Sequence, residues 1–237
     1  MNRIYTAREI MVAKLVTLKP ETSVIDGIRR LLDNRVTGAP VVDRRGRYLG
    51  MFSEKCCMDV LVGAARVYTE RQGDLPSIRA ADIMARNLIT LTPDMDVFDA
   101  IGLLLDRRIS GAPVLDDDGK LVGVVSEFDC LRVVASGLYG HDGLEDSTPL
   151  RRLMTAEVLT ITPDTDVFTV TQLLVGRRIR RVPVVDVDGK LVGIISRRDV
   201  LRCVHDLRRE HMRAHRQHPH KGLYLSADED LPNPFAD

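Results

Sequence analysis

The pattern of apolar and polar positions predicts a helix followed by a hairpin in the middle of the chain. Apolar residues recur at helical spacing over 97–109, which predicts an amphipathic helix. Two apolar runs, APVLD and LVGVVS, then flank an Asp118-Gly119 pair, which is a strong signal for a β-hairpin. A β-rich run, LITL, precedes the helix and is closed by Thr-Pro93. With a last helix after Ser126, the order of elements is β-α-β-β-α.

The same order of elements occurs three times. The segment that begins at Met84 recurs from Met154 without a gap, and about half of its positions are identical. A more diverged copy begins at Met11. All three copies keep two prolines in fixed positions, namely Pro20 and Pro40, Pro93 and Pro113, and Pro163 and Pro183. A strand, a crossover helix and a second strand predict parallel pairing within a small mixed sheet, so the fold class is α/β (α+β).

The repeats divide the chain into four segments. We assign repeats to 1–75, 76–145 and 146–205, and a helical extension with a His/Arg-rich and then acidic tail to 206–237. Turn-rich linkers separate the copies. A single repeat buries little surface by itself, so we expect tandem repeats that pack in pairs through their sheets.

Composition excludes several functional classes. The chain has 34 basic and 34 acidic side chains, so no global field favours nucleic acid or a membrane surface. No apolar run approaches the ~18–20 residues that span a bilayer, and the N-terminus lacks the apolar core of a signal peptide. The four cysteines show neither a disulfide framework nor a CxxC zinc spacing. We therefore expect a reduced, cytoplasmic protein without nucleic-acid or membrane partners.

One polar motif is repeated at the start of the last helix of two copies. It is Gly-x-x-Ser-x-x-Asp, with Ser126 and Asp129 in the second copy and Ser196 and Asp199 in the third. Ser-x-x-Asp is typical of a helix cap. The same helix N-terminus, with free N–H groups and a hydroxyl, also suits a phosphate, and the aspartate can accept hydrogen bonds from ribose hydroxyls. The two interpretations are compatible.

Together these motifs resemble the CBS domain family, named after cystathionine beta-synthase. The resemblance covers residues 4–205 and rests on the combination of strand-x-Pro, helix, x-Pro-Val, Asp-x-x-Gly and Gly-x-x-Ser in each copy. It implies that repeats pair into Bateman modules with two clefts between their sheets. In this family the clefts often bind adenosine-containing ligands: AMP, ADP, ATP, S-adenosylmethionine or NAD.

The resemblance also implies site residues. If the second and third repeats pair, the first cleft consists of Ser126, Asp129, Val124, Thr155, Ala156, Ile179, Arg180 and Arg181. The second cleft consists of Ser196, Asp199, Ile194, Ala85, Arg86, Ile109, Ser110 and Gly111. Each aspartate takes the ribose, each serine takes a phosphate, and the valine and isoleucines sandwich the adenine.

The Arg180-Arg181 pair stands where the second repeat has Ser-Gly. Because an arginine pair can bind a phosphate bidentately, the first cleft is better suited than the second to bind phosphates. The alternative is a solvated pair of turn residues.

The first repeat departs from the family pattern. It has Cys56 in place of the aspartate, and a thiol is a poor acceptor for a ribose diol. The Cys56-Cys57 pair could sense redox state, but adjacent cysteines seldom close a disulfide without strain, which favours apolar filler. Since three repeats cannot all pair within one chain, we predict a homodimer in which the first repeats pair with each other.

Five of the six histidines lie near the C-terminus. His211 and His215 are spaced i, i+4, so they could share a helix face and hold a divalent metal. The alternatives are a polar helix that ends in a basic tail, or a docking patch for an acidic partner. We predict no metal site, and this pair is the candidate pair for one.

The sequence contains no P-loop, nucleophile elbow, paired-carboxylate or HExxH arrangement. It therefore predicts a non-catalytic sensor whose regulatory ligand is an adenine nucleotide and whose occupancy is read by an unknown target protein. The alternative is a ligand-free interaction scaffold that docks through its C-terminal tail.

Overall fold

The computed structural model describes residues 6–72, 78–139 and 147–217, with side chains up to residues 63, 135 and 209 of these stretches. The chain divides into two compact units, Pro76–Ser196 and Met1–Leu75 with Arg197–Asp237. The first of these units holds the second and third repeats without the last helix of the third.

Each repeat consists of a short helical turn, a helix, a two-stranded antiparallel sheet and a last helix. The first repeat has α1 Ala7–Ile10, α2 Val24–Asn34, β1 Gly38–Val42, β2 Tyr48–Ser53 and α3 Glu54–Gln72. The second has α4 Ala80–Ile83, α5 Val97–Arg107, β3 Gly111–Leu115, β4 Leu121–Ser126 and α6 Glu127–Tyr139. The third has a 3₁₀ turn Leu150–Arg152, α7 Val167–Gly176, β5 Arg181–Val185, β6 Leu191–Ser196 and α8 Arg197–Gln217. The mixed fold class is as predicted.

The predicted hairpin at Asp118-Gly119 joins β3 to β4. Gly119 has φ +78°, a conformation that favours glycine, and the register shifts between Val114 and Leu115. The carboxylate of Asp116 accepts hydrogen bonds from the backbone N–H groups of Asp118 (3.1 Å) and Lys120 (2.8 Å), which fixes the turn. The third repeat builds the same turn, with Gly189 at φ +79°.

The predicted first strand of each repeat is much shorter than the sequence suggests. In the second repeat it is a single parallel bridge, Leu91 to Val114, with Leu91 N–H donating to Pro113 O (2.9 Å) and Leu115 N–H donating to Leu91 O (2.9 Å). The next bond of a parallel ladder would need an N–H at Pro113, which proline lacks. The parallel direction is therefore as predicted, but the strand is not extended.

The core of the Pro76–Ser196 unit lies between α5, the β3–β4 sheet and α6. Its fully buried residues come from both repeats: Leu91, Val97, Ala100, Leu104, Ala112, Val114, Val125, Cys130 and Leu150. Asp96 caps α5 and also reaches the third repeat, because its carboxylate accepts hydrogen bonds from the N–H groups of Phe98 and Thr148 (both 2.8 Å).

The other unit packs the last helix of the third repeat against the first repeat. Helix α8 contacts α2 and α3, and the Arg198 guanidinium lies 3.2 Å from the Glu54 carboxylate at the start of α3. The helix continues to Gln217, as the sequence predicts. Among the described helices, none combines the length and the apolar character needed to cross a membrane.

Candidate functional site

A cleft opens between the second and third repeats within the Pro76–Ser196 unit. Its cavity volume is about 1150 Å³, above the ~300–1,000 Å³ typical of small-molecule sites. The second repeat lines this inter-repeat cleft with β3, β4 and the first turns of α6. The third repeat lines it with residues around Thr155 and with the segment before β5.

Backbone hydrogen bonds and the Met154 side chain hold the two repeats together beside the cleft. Val124 and Thr155 exchange two backbone hydrogen bonds of 3.0 Å each, so the pre-strand segment of the third repeat lies along β4. The Met154 side chain covers Gly123 so closely that a Cβ at Gly123 would lie 2.7 Å from its Sδ. A side chain at Gly123 would therefore displace Met154 where the two repeats meet.

Asp129 lies in the first turn of α6 and is partly buried in the cleft wall. Its Oδ2 accepts hydrogen bonds from the Ser126 N–H (2.9 Å) and the Ser126 hydroxyl (2.6 Å). The pair thus caps the helix, which is one of the two interpretations that the motif allows. Both of these bonds end on the same carboxylate oxygen.

Arg181, at the start of β5, bridges to the second repeat. Its guanidinium donates hydrogen bonds of 2.5 Å to the Gly111 carbonyl oxygen and to the Ser110 hydroxyl. Ser110 and Gly111 were predicted for the second cleft, but they line the inter-repeat cleft together with Arg181. Arg181 therefore ties the two x-Pro loops together in addition to lining the cavity.

Arg180 and Arg177 carry further positive charge to the edge of the cleft, and both side chains are exposed. Between them Arg178 adopts a left-handed conformation with φ +55°, which turns the chain from α7 toward β5. The cleft also contains three carboxylates, those of Glu127, Asp129 and Glu157. The three carboxylates thus balance the positive charge of the three arginines that line the cleft.

Apolar side chains form the remaining walls. Val124 and Ile179, predicted for this cleft, are partly buried and line the cavity. Ile194, predicted for the second cleft, is partly buried and lines the same cavity. Phe128 and Leu131 on α6 line it as well and are about two-thirds exposed, at 67% and 62%. Neither residue was predicted from the sequence, because their position beside the cleft depends on the pairing of two repeats.

Most residues predicted for the first cleft meet in the inter-repeat cleft. Those that line it are Ser126, Asp129, Val124, Thr155, Ile179, Arg180 and Arg181. Ala156 is exposed outside the lining, and its carbonyl accepts a hydrogen bond from Val158 N–H (3.1 Å).

The residues predicted for the second cleft are more scattered. Ile109 packs against the core of the second repeat, and the Arg86 guanidinium donates to Ala81 O (2.9 Å). Ala85 bonds to the backbone of Ile194. Ser196 and Asp199 fall in different compact units, so the second cleft stays a prediction.

In the first repeat the motif serves as a helix cap. The Ser53 hydroxyl accepts a hydrogen bond from Cys56 N–H (3.3 Å) and lies 3.1 Å from the Cys56 sulfur. Cys57 is buried, and burial raises the pKa of its thiol to about 12. A buried, protonated thiol fits the interpretation as apolar filler for Cys57, whereas Cys56 is exposed and does not fit it.

Metal-ligand clusters are not seen in the part of the chain with described side chains. His211 and His215 lie on α8, but their side chains, and the tail after 217, are outside the described residues.

The family model for the CBS domain matches three segments of the chain, residues 7–63, 80–136 and 150–206. The MJ1225 protein of Methanocaldococcus jannaschii is 26% identical over 198 residues, which are 81% of this chain and 68% of that protein. Its crystal structure shares the fold, with a TM-score of 0.74, 22% identity, and coverage of 84% of this chain and 70% of that one.

Two further relatives match with different coverage. The chloroplastic protein CBSX2 of Arabidopsis thaliana is 35% identical over 53% of this chain and 62% of its own length. A crystal structure of CBSX2 in complex with AMP has a TM-score of 0.50 and 34% identity, covering 55% of this chain and 98% of that one. The gamma-3 subunit of the 5'-AMP-activated protein kinase of Bos taurus is 27% identical over 86% of this chain, which spans 43% of that subunit.

Proposed function

Because the chain belongs to the CBS domain family, we propose that it is a non-catalytic sensor whose inter-repeat cleft binds an adenine nucleotide. The observation that carries the proposal is the convergence of a carboxylate, an apolar wall and two exposed arginines on one cavity. A partner protein reads the occupancy of the cleft. For this to be regulation, the ligand must bind two states of the module with different affinities.

Asp129 is the proposed ribose acceptor. The Ser126 bonds hold its carboxylate in one orientation, so little side-chain freedom is lost when a diol binds. Val124, Ile179 and Ile194 offer apolar surface to the adenine. A ribose at Asp129 then directs the phosphate toward the loop that carries Arg180.

We expect AMP to bind more tightly than ATP. Arg181 already donates two hydrogen bonds to Ser110 and Gly111, so Arg180 and Arg177 are the cations left for a phosphate. The carboxylates of Glu127 and Glu157 oppose the accumulation of further negative charge in the same cavity. A crystal structure of the relative CBSX2 in complex with AMP supports AMP as a ligand of this cleft.

The test is isothermal titration calorimetry on nucleotide-stripped protein with AMP, ADP, ATP, S-adenosylmethionine and NAD. We expect saturable binding. A ligand at about a hundred times its dissociation constant should also raise the free energy of unfolding by about 2.7 kcal/mol, which urea denaturation measures. Asp129→Ala should abolish binding at the inter-repeat cleft. Asp199→Ala reports on the second cleft, and Asp106→Ala, an exposed position on α5, serves as the matched control. Absence of binding with the whole panel would overturn the sensor and favour the ligand-free scaffold.

A further inference from the structure

The first repeat has exposed apolar residues on β2 and in the segment after α1. Met11, Val12, Tyr48, Leu49 and Met51 are each more than half exposed. Exposed apolar residues scattered singly are ordinary, but several of them in two short segments of one repeat indicate an interaction surface. The corresponding positions of the other two repeats show which contacts such residues make elsewhere in the chain.

The positions that correspond to Met11, Val12 and Met51 form the contact between the second and third repeats. Met84 and Met154 correspond to Met11, and both pack against a glycine of the other repeat. A Cβ at Gly123 would lie 2.7 Å from Met154 Sδ, and one at Gly193 would lie 2.7 Å from Met84 Cγ. The contact is therefore reciprocal.

The backbone bonds across this contact are reciprocal as well. Ala85 and Ile194 exchange bonds of 2.9 and 3.0 Å, and Thr155 and Val124 exchange two bonds of 3.0 Å. Each residue after the methionine thus pairs with the residue after the glycine of the other repeat. Such an arrangement has the symmetry of a two-fold axis, which two identical partners can satisfy without change.

We propose that the first repeat pairs with the first repeat of a second copy of this chain in the same register. Met11 then covers the partner's Gly50, and Val12 bonds to the backbone of the partner's Met51. Gly50 corresponds to Gly123 and Gly193, but a Cβ at Gly50 would meet no heavy atom within 4 Å. The first repeat therefore carries both halves of the contact, the methionine and the uncovered glycine.

Charge also favours a second copy over an unrelated partner. In the repeat pair, Arg151 forms an ion pair with Asp94 of the second repeat. The corresponding residues of the first repeat are Arg8 and Glu21, both exposed and opposite in charge. Two copies in the proposed register place each Arg8 against the partner's Glu21.

The test is the molar mass of the full chain by light scattering, with the dissociation constant by sedimentation velocity. Wild-type protein should be a dimer. Gly50→Met should raise the dimer dissociation constant by about tenfold or more, because it fills the position that Met11 needs, while leaving the melting temperature of the monomer unchanged. Gly63→Met adds the same bulk to an exposed site on α3 and should leave the dimer intact.

Charge reversal tests the register. Arg8→Glu alone and Glu21→Arg alone should each weaken the dimer severalfold, and the double variant should recover it, because the ion pairs are restored with reversed sign. A wild-type monomer at tens of micromolar, or a dimer insensitive to Gly50→Met, would overturn the proposal. Failure of the double variant to recover would overturn the register.

Discussion

Arg181 and Gly111 occupy the same position in two successive repeats, and the Arg181 guanidinium donates a 2.5 Å hydrogen bond to the Gly111 carbonyl oxygen. Its second 2.5 Å bond, to the Ser110 hydroxyl, uses the other terminal nitrogen of the fork. The two repeats are therefore not equivalent at this point. The sequence difference that makes one loop Ser-Gly and the other Arg-Arg joins the loops across the cleft.

Arg181→Ala should destabilise the repeat pair. It removes two charged hydrogen bonds from a partly buried site and leaves the Gly111 carbonyl without this donor, which costs about 1–2 kcal/mol in the free energy of unfolding. Arg181→Lys should recover only part of this, because one ammonium cannot reproduce the fork. Urea denaturation measures both effects.

Arg180→Ala is the matched comparison at the exposed neighbouring position. We expect its free energy of unfolding to stay within about 0.5 kcal/mol of wild type. Under the proposed function its affinity for AMP should fall severalfold, as measured by calorimetry. Equal destabilisation by the two variants would contradict the structural role assigned to Arg181.

The periodicity of the sequence predicts the elements of the fold well because each depends on local signals. Asp118-Gly119 specifies the hairpin through the φ that Gly119 adopts, and Ser126 marks the start of α6. The extent of the first strand could not be read this way. It depends on Pro113, which lies in a different strand and removes the N–H that a longer ladder needs.

Only those residues of the candidate site that belong to a repeated motif could be predicted from the sequence. Asp129 and Arg180 line the cleft because the repeats pair as the family pattern implies. The direction of the Arg181 side chain depends on a contact with Ser110 that lies far away in sequence, and local patterns carry no information about it. The exposed Phe128 was hidden for a related reason, since its position next to the cleft appears only when two repeats meet.

Two glycine substitutions should change stability in opposite directions. Gly111 has φ +153°, and a Cβ there would lie 2.6 Å from the Val125 carbonyl oxygen, so Gly111→Ala should cost about 1–3 kcal/mol. Gly102 lies exposed inside α5 with nothing within 4 Å of a Cβ, so Gly102→Ala should stabilise the protein by about 0.5–1 kcal/mol. Thermal unfolding measures both effects. A Gly111→Ala variant as stable as the wild type would contradict the expected clash with the Val125 carbonyl oxygen.

The cysteines should differ in reactivity. Cys56 is exposed, whereas Cys57 and Cys130 are buried, and burial raises the pKa of both buried thiols. Mass spectrometry after brief treatment with iodoacetamide near pH 7.5 should find Cys56 modified well before the two buried thiols, which should react only when urea unfolds the protein. Cys56→Ser is the control that removes the fast site. Alkylation of Cys57 at the same rate as Cys56 would show that the start of α3 opens in solution.

Asp96 should make the stability of the Pro76–Ser196 unit depend on pH in the acid range. The N–H groups of Phe98 and Thr148 bond to its carboxylate and hold its pKa below the usual value of 3.8. A lowered pKa in the folded state means that the stabilisation is complete above the unfolded-state pKa, near pH 4, and is lost as the pH falls through the folded-state pKa.

Asp96→Asn should therefore be less stable than wild type at pH 7, and the difference should shrink below pH 4. Urea denaturation at pH 7, 5 and 3 measures it, with the exposed Asp106→Asn in the last turn of the same helix as the control. A difference that stays constant across these three pH values would show that the charge of Asp96 does not hold the two repeats together.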